Sequence, residues 1–341
     1  MAADVSRIAL VKLSSLGDVV HALPVAATLR AARPHARLTW IVERREAAVL
    51  HDHPALDEVI VADTRGWRRA RRPGAVRAAL ADVLALRRRL AAARLDVAID
   101  LQGLMKSGAI ARATQAPVRI GFHRGWGREP LGALFTNRHV IPPPSARHVV
   151  EQYLALLAPL GIDERRLEFR LPTVAAAETR LDEWLASVGL KPQRRLVVLN
   201  PGAGRPAKRW PVAHFATLAA RLAHDAGAHV VVVWGPGEES AARAIVAGAG
   251  QAGARTLLAP PTDLNELIAL LRRASVMIAA DTGPLHLAAA LGTPCVGLYG
   301  PTAAARNGPY GAGHRTLSAP ATTMAALLPA PVLAAAIEAL G

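Results

Sequence analysis

Short runs of apolar, often β-branched residues recur along the 341-residue chain, with longer stretches rich in Ala, Leu and Arg between them. In the first half these runs predict six strands, at residues 8–11, 38–42, 59–62, 97–101, 119–122 and 139–141. Strands that alternate with helical patterns indicate parallel pairing through right-handed crossover helices. The first half is therefore predicted to be a doubly wound α/β sheet.

The same alternation begins again after a proline-rich interruption at residues 142–148. Helices are predicted over 149–160, ending at Gly161, and over 174–190, with Thr173 as N-cap and Gly189 near the end. Further strands are predicted at 196–199, 229–234, 255–258, 276–280 and 295–299. We thus expect Rossmann-like domains over 1–172 and 173–321, and a C-terminal helix over 322–341 that packs back on the body.

Length and composition narrow the class of protein. A chain of 341 residues fits two domains of ordinary size, and 52% hydrophobic residues argue against disorder. The single cysteine, Cys295, lies in an apolar run and cannot form an internal disulfide, which fits a reducing cytoplasm. We find no secretory signal pattern and no uncharged stretch of roughly 20 residues that would span a bilayer. Any membrane contact is expected to be peripheral.

The net charge of +15 is concentrated in the first half. Residues 1–172 hold 27 Lys and Arg against 16 Asp and Glu, a balance of +11, whereas the remainder holds 14 against 10, or +4. The densest part contains Arg65, Arg68, Arg69, Arg71 and Arg72. Such a cluster suits nucleic acid, an anionic lipid surface or a phosphorylated substrate, or is simply a solvated face. Aromatic residues for base stacking are scarce, which disfavours nucleic acid.

Asp18 lies in the segment that directly follows the first predicted strand and is the only acidic residue near its end. In an open α/β sheet, ligands gather outside the carboxyl ends of the strands, so a carboxylate at this turn is a candidate catalytic base. The alternative is that Asp18 only caps the helix that follows.

A glycine-rich loop that carries the cations Lys208 and Arg209 follows the first strand of the second half. Ala203, Gly204, Lys208 and Arg209 lie between a predicted strand and a helix start, where backbone N–H groups and positive charge would bind a diphosphate. The loop has neither the Walker spacing nor Gly-x-Gly-x-x-Gly, so ATPase and nicotinamide functions lose support. A simple turn is the alternative.

Two further loops carry candidate ligand-binding groups. Glu238 and Glu239 follow the next long strand. A carboxylate there can accept hydrogen bonds from ribose hydroxyls, or it can simply begin a helix, where acidic residues suit the helix dipole. In the other loop Asp281 is a predicted N-cap, Thr282 and Gly283 offer N–H groups, and His286 lies on the first helical turn. This loop suits a sugar or a phosphate, or else is a capped helix with a structural histidine.

Three phosphate-compatible loops occur without any Asp-x-Asp motif. Metal-dependent nucleotide-sugar enzymes commonly hold a divalent ion between such carboxylates and phosphates. We therefore expect no metal and no other cofactor. Lys208 and Arg209 would instead neutralise the negative charge of a diphosphate leaving group.

Taken together, these motifs resemble the ADP-heptose lipopolysaccharide heptosyltransferases. The similar segments span residues 8 to about 311 and include residues 12–18, 100–107, 128–131, 206–211, 281–286 and 298–302. The resemblance implies a GT-B fold, in which two Rossmann-like domains face a cleft, and heptose transfer with inversion and without a metal.

The resemblance also assigns roles to individual residues. Asp18 matches the base that deprotonates the acceptor hydroxyl, Lys208 the lysine on the donor phosphates, and Glu239 the carboxylate on the adenosine ribose. The other positions implied on the donor side are Gly17, Ala203, Gly204, Arg209, Thr262, Asp281, Thr282, Gly283 and His286. The positions implied on the acceptor side are Arg65, Arg68, Arg69, Lys106 and Arg124.

The first half resembles the heptosyltransferase I type, which adds heptose to the Kdo residues of lipid A. The donor loop differs, because Ala203 and Gly204 stand where that type has paired threonines, and residues 206–211 are more similar to the heptosyltransferase II type. The expected partners are ADP-L-glycero-D-manno-heptose, Kdo-lipid A and the anionic cytoplasmic face of the inner membrane, with no nucleic acid. A different acceptor is the alternative, and a basic nucleic-acid-binding protein is a distant one.

Overall fold

Two six-stranded parallel sheets form the framework of this computed structural model, which describes residues 5–190, 195–250 and 255–341. The chain divides into two units, residues 1–170 and 171–341, with one sheet in each. α-Helices or short 3₁₀ turns connect successive parallel strands in both units. The predicted α/β class with two Rossmann-like domains is therefore confirmed.

Within residues 5–170, the first unit contains six strands and five α-helices. Its strands are β1 (Arg7–Val11), β2 (Arg37–Val42), β3 (Glu58–Val61), β4 (Val97–Asp100), β5 (Val118–Phe122) and β6 (Arg138–Val140). Its helices are α1 (Leu16–Ala32), α2 (Thr64–Arg69), α3 (Pro73–Ala92), α4 (Met105–Ala113) and α5 (Val149–Ala155). Short 3₁₀ turns lie at Ala47–Leu50, Pro130–Phe135 and Ala158–Leu160.

The second unit repeats this plan. Its strands are β7 (Leu196–Asn200), β8 (His229–Val232), β9 (Thr256–Leu258), β10 (Val276–Ala280), β11 (Cys295–Tyr299) and β12 (Arg315–Ser318). Its helices are α6 (Ala175–Ser187), α7 (Val212–Asp225), α8 (Glu239–Gly248), α9 (Leu264–Arg273), α10 (Gly283–Ala290), α11 (Ala304–Asn307) and α12 (Pro329–Leu340). Further 3₁₀ turns lie at Pro206–Lys208, Pro320–Thr322 and Met324–Ala326.

The two sheets have the same strand order. It is β3-β2-β1-β4-β5-β6 in the first unit and β9-β8-β7-β10-β11-β12 in the second. The order reverses between β1 and β4, and again between β7 and β10, and ligands of such sheets bind at this reversal. Val11 pairs with Asp100, and Ala279 pairs with Asn200, so the loops that leave each strand pair begin side by side.

Several predicted boundaries differ from the structure. Thr173 is not an N-cap, because α6 begins at Ala175 after Val174 and neither residue's side chain caps it. Gly189 does end the helix: its φ is +72°, and its N–H donates to Ala186 while that of Leu190 donates to Leu185. The predicted helix over 149–160 stops at Ala155 and continues only as a 3₁₀ turn. The last helix begins at Pro329 rather than 322, since proline suits a first helical position.

Buried apolar side chains join the functional loops to the sheets. In the second unit the buried Trp210 lies edge-on to Phe215, with ring centroids 4.7 Å apart, and its Nε1 donates to the carbonyl of Leu327 at 2.7 Å. This contact ties the end of the loop after β7 to the segment before α12. Cys295, in the apolar run of β11, is buried. Among the described residues, no helix is both long and apolar enough to cross a membrane.

Candidate functional site

Asp18 lies at the strand-order reversal of the first unit, in the first turn of α1. Its Oδ2 accepts hydrogen bonds from the backbone N–H of Ser15 at 3.2 Å and from the Ser15 hydroxyl at 2.9 Å. Ser15 is the N-cap, so these bonds belong to a capping box that fixes the start of the helix. Gly17, the preceding residue, is buried. The helix-capping role weighed for Asp18 is present, and it uses only one of the two carboxylate oxygens.

The other oxygen, Oδ1, lies near three cationic or hydroxyl groups, two of them from distant parts of the chain. Arg128 donates at 2.8 Å and the hydroxyl of Tyr153 at 3.0 Å, and the ammonium of Lys12 lies at 3.7 Å. Lys12 is fully buried, and its Nζ donates to Tyr153 at 2.6 Å and to the carbonyl of Leu101 at 3.1 Å. Asp18 is thus the centre of a hydrogen-bonded cationic cluster.

The charges around Asp18 decide its protonation. Burial on its own would raise the pKa of this carboxyl, but the cations of Lys12 and Arg128 and the hydrogen bonds from Ser15 outweigh it. The pKa of Asp18 therefore lies well below its usual range. The group is a carboxylate at neutral pH, the form that accepts a proton.

A second buried carboxylate supports the loop that carries Lys12. The Oδ1 atom of Asp100 accepts the N–H groups of Gln102 at 2.9 Å and Gly103 at 3.2 Å. The side-chain oxygen of Gln102 in turn accepts the N–H of Leu13 at 2.8 Å. Burial raises the pKa of Asp100 despite these bonds. The end of β4 thereby holds the loop after β1 in place.

Two of the expected acceptor-binding cations lie against internal carboxylates. Lys106 lies 3.5 Å from Glu43, and Arg65 donates to Glu46 at 2.9 Å. Both glutamates are buried, and burial raises the pKa of Glu46 even though Arg65 opposes the shift. The other three positions, Arg68, Arg69 and Arg124, are exposed. The predicted acceptor residues are thus split between paired, half-buried cations and a solvated surface.

Lys208, Asp281 and His286 form a chain at the strand-order reversal of the second unit. The ammonium of Lys208 donates to Oδ2 of Asp281 at 2.6 Å, and Nε2 of His286 lies 3.1 Å from Oδ1. Burial alone would raise the pKa of Asp281, but His286 and Lys208 lower it to about 2. The predicted phosphate-binding lysine is therefore positioned by an ionised aspartate that follows the neighbouring strand.

This arrangement corrects the expectation that Asp281 is the N-cap of α10. The N-cap is Thr282, and the carboxylate of Asp281 is directed to Lys208 and His286 instead. The hydroxyl of Thr282 accepts from the side-chain amide of Asn200 at 3.2 Å, which also donates to the carbonyl of Gly202 at 3.2 Å. The loops after β7 and β10 are thus joined by side-chain hydrogen bonds. Gly283 is the first residue of α10.

The glycine-rich loop after β7 is closed on one side and open on the other. The carbonyl of the buried Ala203 accepts from Nε of Arg209 at 3.3 Å, whereas the exposed Gly204 has open space where a Cβ would lie. A Cβ on Gly202 would overlap the carboxylate of Glu238, only 2.0 Å from its Oε2. That same oxygen accepts the N–H of Gly235 at 3.0 Å.

The remaining donor-side candidates lie apart from these hydrogen bonds. Glu239 is half-buried and pairs with Arg243 one turn further along α8. Thr262 is partly buried in the loop before α9, next to the N-cap Asp263. Helix α8 does begin at Glu239, so the helix-start role weighed for this pair is present as well.

Sequence reasoning assigned no role to Lys12, Gln102, Arg128 or Tyr153. Lys12, Gln102 and Arg128 lie within the motifs 12–18, 100–107 and 128–131, yet their types and spacing did not reveal what they contact. Tyr153 had no sequence signal beyond a polar hydroxyl in an apolar helix. Within residues 5–190, 195–250 and 255–341, no three His, Cys, Asp or Glu side chains are grouped so as to hold a metal ion.

Comparison with known proteins places the chain in a family. The profile of glycosyltransferase family 9 (heptosyltransferase) matches residues 83–327. Lipopolysaccharide heptosyltransferase 1 of Salmonella typhimurium is 32% identical over 94% of this chain and 96% of its own length. The protein of the same name from Pseudomonas aeruginosa is 34% identical over 89% of this chain and 81% of its own.

Solved structures agree. E. coli heptosyltransferase WaaC with ADP matches with a TM-score of 0.80 at 30% identity, over 98% of this chain and 99% of that one. A family 9 glycosyltransferase from Veillonella parvula matches with a TM-score of 0.85 at 25% identity, over 100% and 98%. These matches confirm the GT-B type of fold. The chain therefore belongs to glycosyltransferase family 9 (heptosyltransferase), and it is a glycosyltransferase.

Proposed function

We propose that this enzyme transfers L-glycero-D-manno-heptose from its ADP β-linked donor to a Kdo residue of Kdo-lipid A, in the synthesis of the lipopolysaccharide inner core. The observation that carries the proposal is the Asp18 carboxylate, held ionised at the strand-order reversal by Lys12 and Arg128. Relatives named lipopolysaccharide heptosyltransferase 1, and WaaC structures with ADP and with ADP-2-deoxy-2-fluoro heptose, support the donor and the acceptor class.

In this reaction Asp18 is the general base. Its carboxylate takes the proton of the Kdo hydroxyl while the hydroxyl oxygen attacks the anomeric carbon from the side opposite ADP. One in-line displacement forms the new glycosidic bond, breaks the bond to the ADP oxygen and inverts the β-linked donor to an α-linked product. A carboxylate with a lowered pKa is a weak base. We therefore expect the proton to transfer only while the new glycosidic bond forms, because the attacking hydroxyl becomes more acidic at that point.

We assign the stabilisation of negative charge on the departing ADP to cations of the protein. Lys208 is proposed to bind the diphosphate and Arg209 to add to the positive potential, so that the reaction needs no metal. The short contact to Asp281 orients the ammonium of Lys208 before the donor binds. Thr282 is the N-cap of α10 and Gly283 is its first residue. Their backbone N–H groups therefore lie at a helix N-terminus, which favours an anion. Gly17, Ala203, Gly204, Thr262 and His286 complete the proposed donor side.

The proposals for ribose and acceptor differ in how far the geometry supports them. Glu239 remains our candidate for the adenosine ribose, although here it pairs with Arg243. Arg68, Arg69 and Arg124 are exposed cations suited to the anionic acceptor. Arg65 and Lys106 are proposed to join them, and the acceptor must then compete with Glu46 and Glu43. We propose that the enzyme acts in the cytoplasm, in peripheral contact with the anionic face of the inner membrane.

Mass spectrometry of a reaction with ADP-heptose and Kdo-lipid A tests the proposal. We expect one heptose to be added, with the product anomer identified by NMR and with the same yield in excess EDTA. Loss of activity in EDTA that Mg²⁺ restores would contradict metal independence. Absence of product from purified, folded enzyme with this donor and acceptor would contradict the proposed function.

A second acceptor is favoured by one observation. Ala203 and Gly204 stand where the heptosyltransferase I type has paired threonines, and Gly204 leaves open space beside the loop. The same reaction run with an already heptosylated core distinguishes the two. Transfer to that core and not to Kdo-lipid A would make the enzyme heptosyltransferase II-like.

A further inference from the structure

Helix α3 is unusually exposed for a helix of a parallel α/β sheet. Such helices normally bury one face against the strands. Among the 20 residues of α3 only Leu90, near its C-terminal end, is buried. Leu86 is partly buried, while most of the first three turns face solvent. The helix is thus anchored at one end and exposed along the rest.

The exposed part carries an apolar stripe. Val76, Leu80, Val83 and Leu84 are 39%, 59%, 37% and 51% exposed. Their spacing of four, three and one residues places them on one side of the helix, over two turns. A contiguous exposed apolar surface of this kind usually marks a binding surface.

Arginines outnumber acidic residues strongly around this stripe, although two of them are paired with glutamates outside the segment. Residues 64–94 contain ten arginines, no lysine and one acidic residue, Asp82. Arg77 precedes Leu80 by three positions and Arg88 follows Leu84 by four, so both continue the side of the helix that carries the stripe. In the part of the chain that the structure describes, no carboxylate lies within ion-pairing distance of Arg77 or Arg88. The combination of apolar stripe and flanking arginines is that of an interfacial helix.

We propose that α3 docks the protein onto an anionic phospholipid bilayer. The apolar stripe enters the interface between headgroups and acyl chains, and the flanking arginines contact lipid phosphates. A second copy of this chain is a poor occupant, because it would bring two arginine-rich segments together. The inference deepens the proposed function, whose acceptor is a lipid, yet it concerns binding and is measurable without catalysis.

Vesicle co-sedimentation of the full-length protein tests the proposal. We expect strong partition onto vesicles of equal parts phosphatidylcholine and phosphatidylglycerol, weak partition onto pure phosphatidylcholine, and weaker binding as salt is raised. The double variant Leu80→Ser/Leu84→Ser removes the stripe, and Arg77→Glu/Arg88→Glu reverses its flanking charge. Each is expected to lower the partition coefficient by about tenfold or more.

Two matched controls separate docking from general surface effects. Leu328→Ser alters a leucine that is also 59% exposed but lies before α12, and Arg165→Glu alters an exposed arginine outside the helix. Both are expected to bind like the wild type. Equal binding by the Leu80→Ser/Leu84→Ser variant would overturn the proposal. So would a dimer in sedimentation velocity that only this variant abolishes.

The outcome is separable from that of the proposed function. If both double variants lose vesicle binding but still transfer heptose to a deacylated, water-soluble Kdo acceptor, docking stands together with the proposed function. If the wild type binds vesicles but transfers no heptose, the proposed function is contradicted and the docking role of α3 is still supported.

Discussion

The hydroxyl of Tyr153 donates a hydrogen bond to Oδ1 of Asp18 at 3.0 Å, although 135 positions separate them in sequence. The same hydroxyl accepts from the buried Lys12, which also lies 4.2 Å from the centre of the Tyr153 ring. Tyr153 therefore connects the candidate base to the cation that keeps it ionised.

Tyr153→Phe keeps the ring and removes this connection. Loss of a donor to the carboxylate is expected to raise the pKa of Asp18, so more of the base is protonated on the acid side. The acid limb of kcat/KM for heptose transfer should then move to higher pH, with only a modest change at its plateau. A pH profile of the variant beside the wild type checks this, and an unchanged acid limb would refute a role for Tyr153 in setting the base.

Asp18→Asn removes the proton acceptor while it preserves much of the hydrogen bonding at the start of α1. We expect turnover to fall by roughly 10²- to 10⁴-fold, the usual worth of a general base. The Kd for ADP, measured by calorimetry, should stay near the wild-type value.

Asp96→Asn is the control for this change. Asp96 lies just before β4, at the amino ends of the strands and so opposite the end near Asp18, and it accepts the N–H groups of Ser6 and Arg7. It should cost stability without slowing transfer. Comparable activity of the Asp18→Asn variant and the wild type would remove Asp18 from the mechanism.

Lys208→Met deletes the proposed phosphate contact. A hydrogen bond to a charged group contributes about 1.5–3 kcal/mol, so the Kd for ADP should rise roughly ten- to hundredfold, and transfer should slow as well. Arg221→Met, at an exposed arginine paired with Asp225 on α7, is the matched control and should bind ADP normally. Equal ADP affinity of the Lys208→Met variant and the wild type would argue against the proposed donor side.

His53 makes stability depend on pH in the mildly acid range. Burial, helped by the cation of Arg170, lowers the pKa of His53 from 6.5 to about 4. Below pH 6.5 the unfolded chain binds this proton more readily than the folded one, so stability falls as pH drops and levels off near 4. The loss should reach at most about 3 kcal/mol.

Urea unfolding between pH 7 and 4 measures this slope. His53→Gln should flatten it, whereas His51→Gln, an exposed histidine two residues away, should leave it intact. A slope that survives in the His53 variant would assign the effect to other groups.

Gly202 and Gly204 form a natural pair for testing the donor loop. A Cβ at Gly202 would overlap the Glu238 carboxylate, and one at Gly204 would meet nothing within 4 Å. Gly202→Ala is expected to lower the free energy of unfolding by about 1–3 kcal/mol, and Gly204→Ala to change it far less. Chemical denaturation of both variants decides the matter. Equal effects would mean that Glu238 moves aside without cost.

The fold was largely predictable because apolar runs mark buried parallel strands directly. Of the twelve strands found among the described residues, eleven were predicted, with ends shifted by two residues at most. The strand that was missed, β12, is an edge strand whose Arg315 and Thr316 are exposed, so it has little apolar signal. Edge strands bury less, and the pattern weakens accordingly.

The sequence indicates where the candidate site residues lie but not what they contact. Asp18 and Lys208 were singled out because strand ends and glycine-rich loops are local features of the sequence. The pairing of Lys208 with Asp281, 73 residues away, overturned the predicted N-cap role of Asp281, and no local pattern encodes it. Likewise the burial of Glu43 and Glu46, which engages two predicted acceptor cations, depends on tertiary packing alone.

The bond from Leu13 to Gln102 has a consequence for how this enzyme tolerates change in length. Val11 and Asp100 are paired in the sheet. Leu13 lies two positions after Val11, and Gln102 lies two positions after Asp100. A single inserted or deleted residue in β4 would shift the alternation of its side chains. The side-chain amide of Gln102 would then move away from the loop after β1, which leads to the candidate base Asp18. Surface loops of this fold can lengthen freely, but the count of residues through the end of β4 is fixed by the catalytic carboxylate proposed beside it.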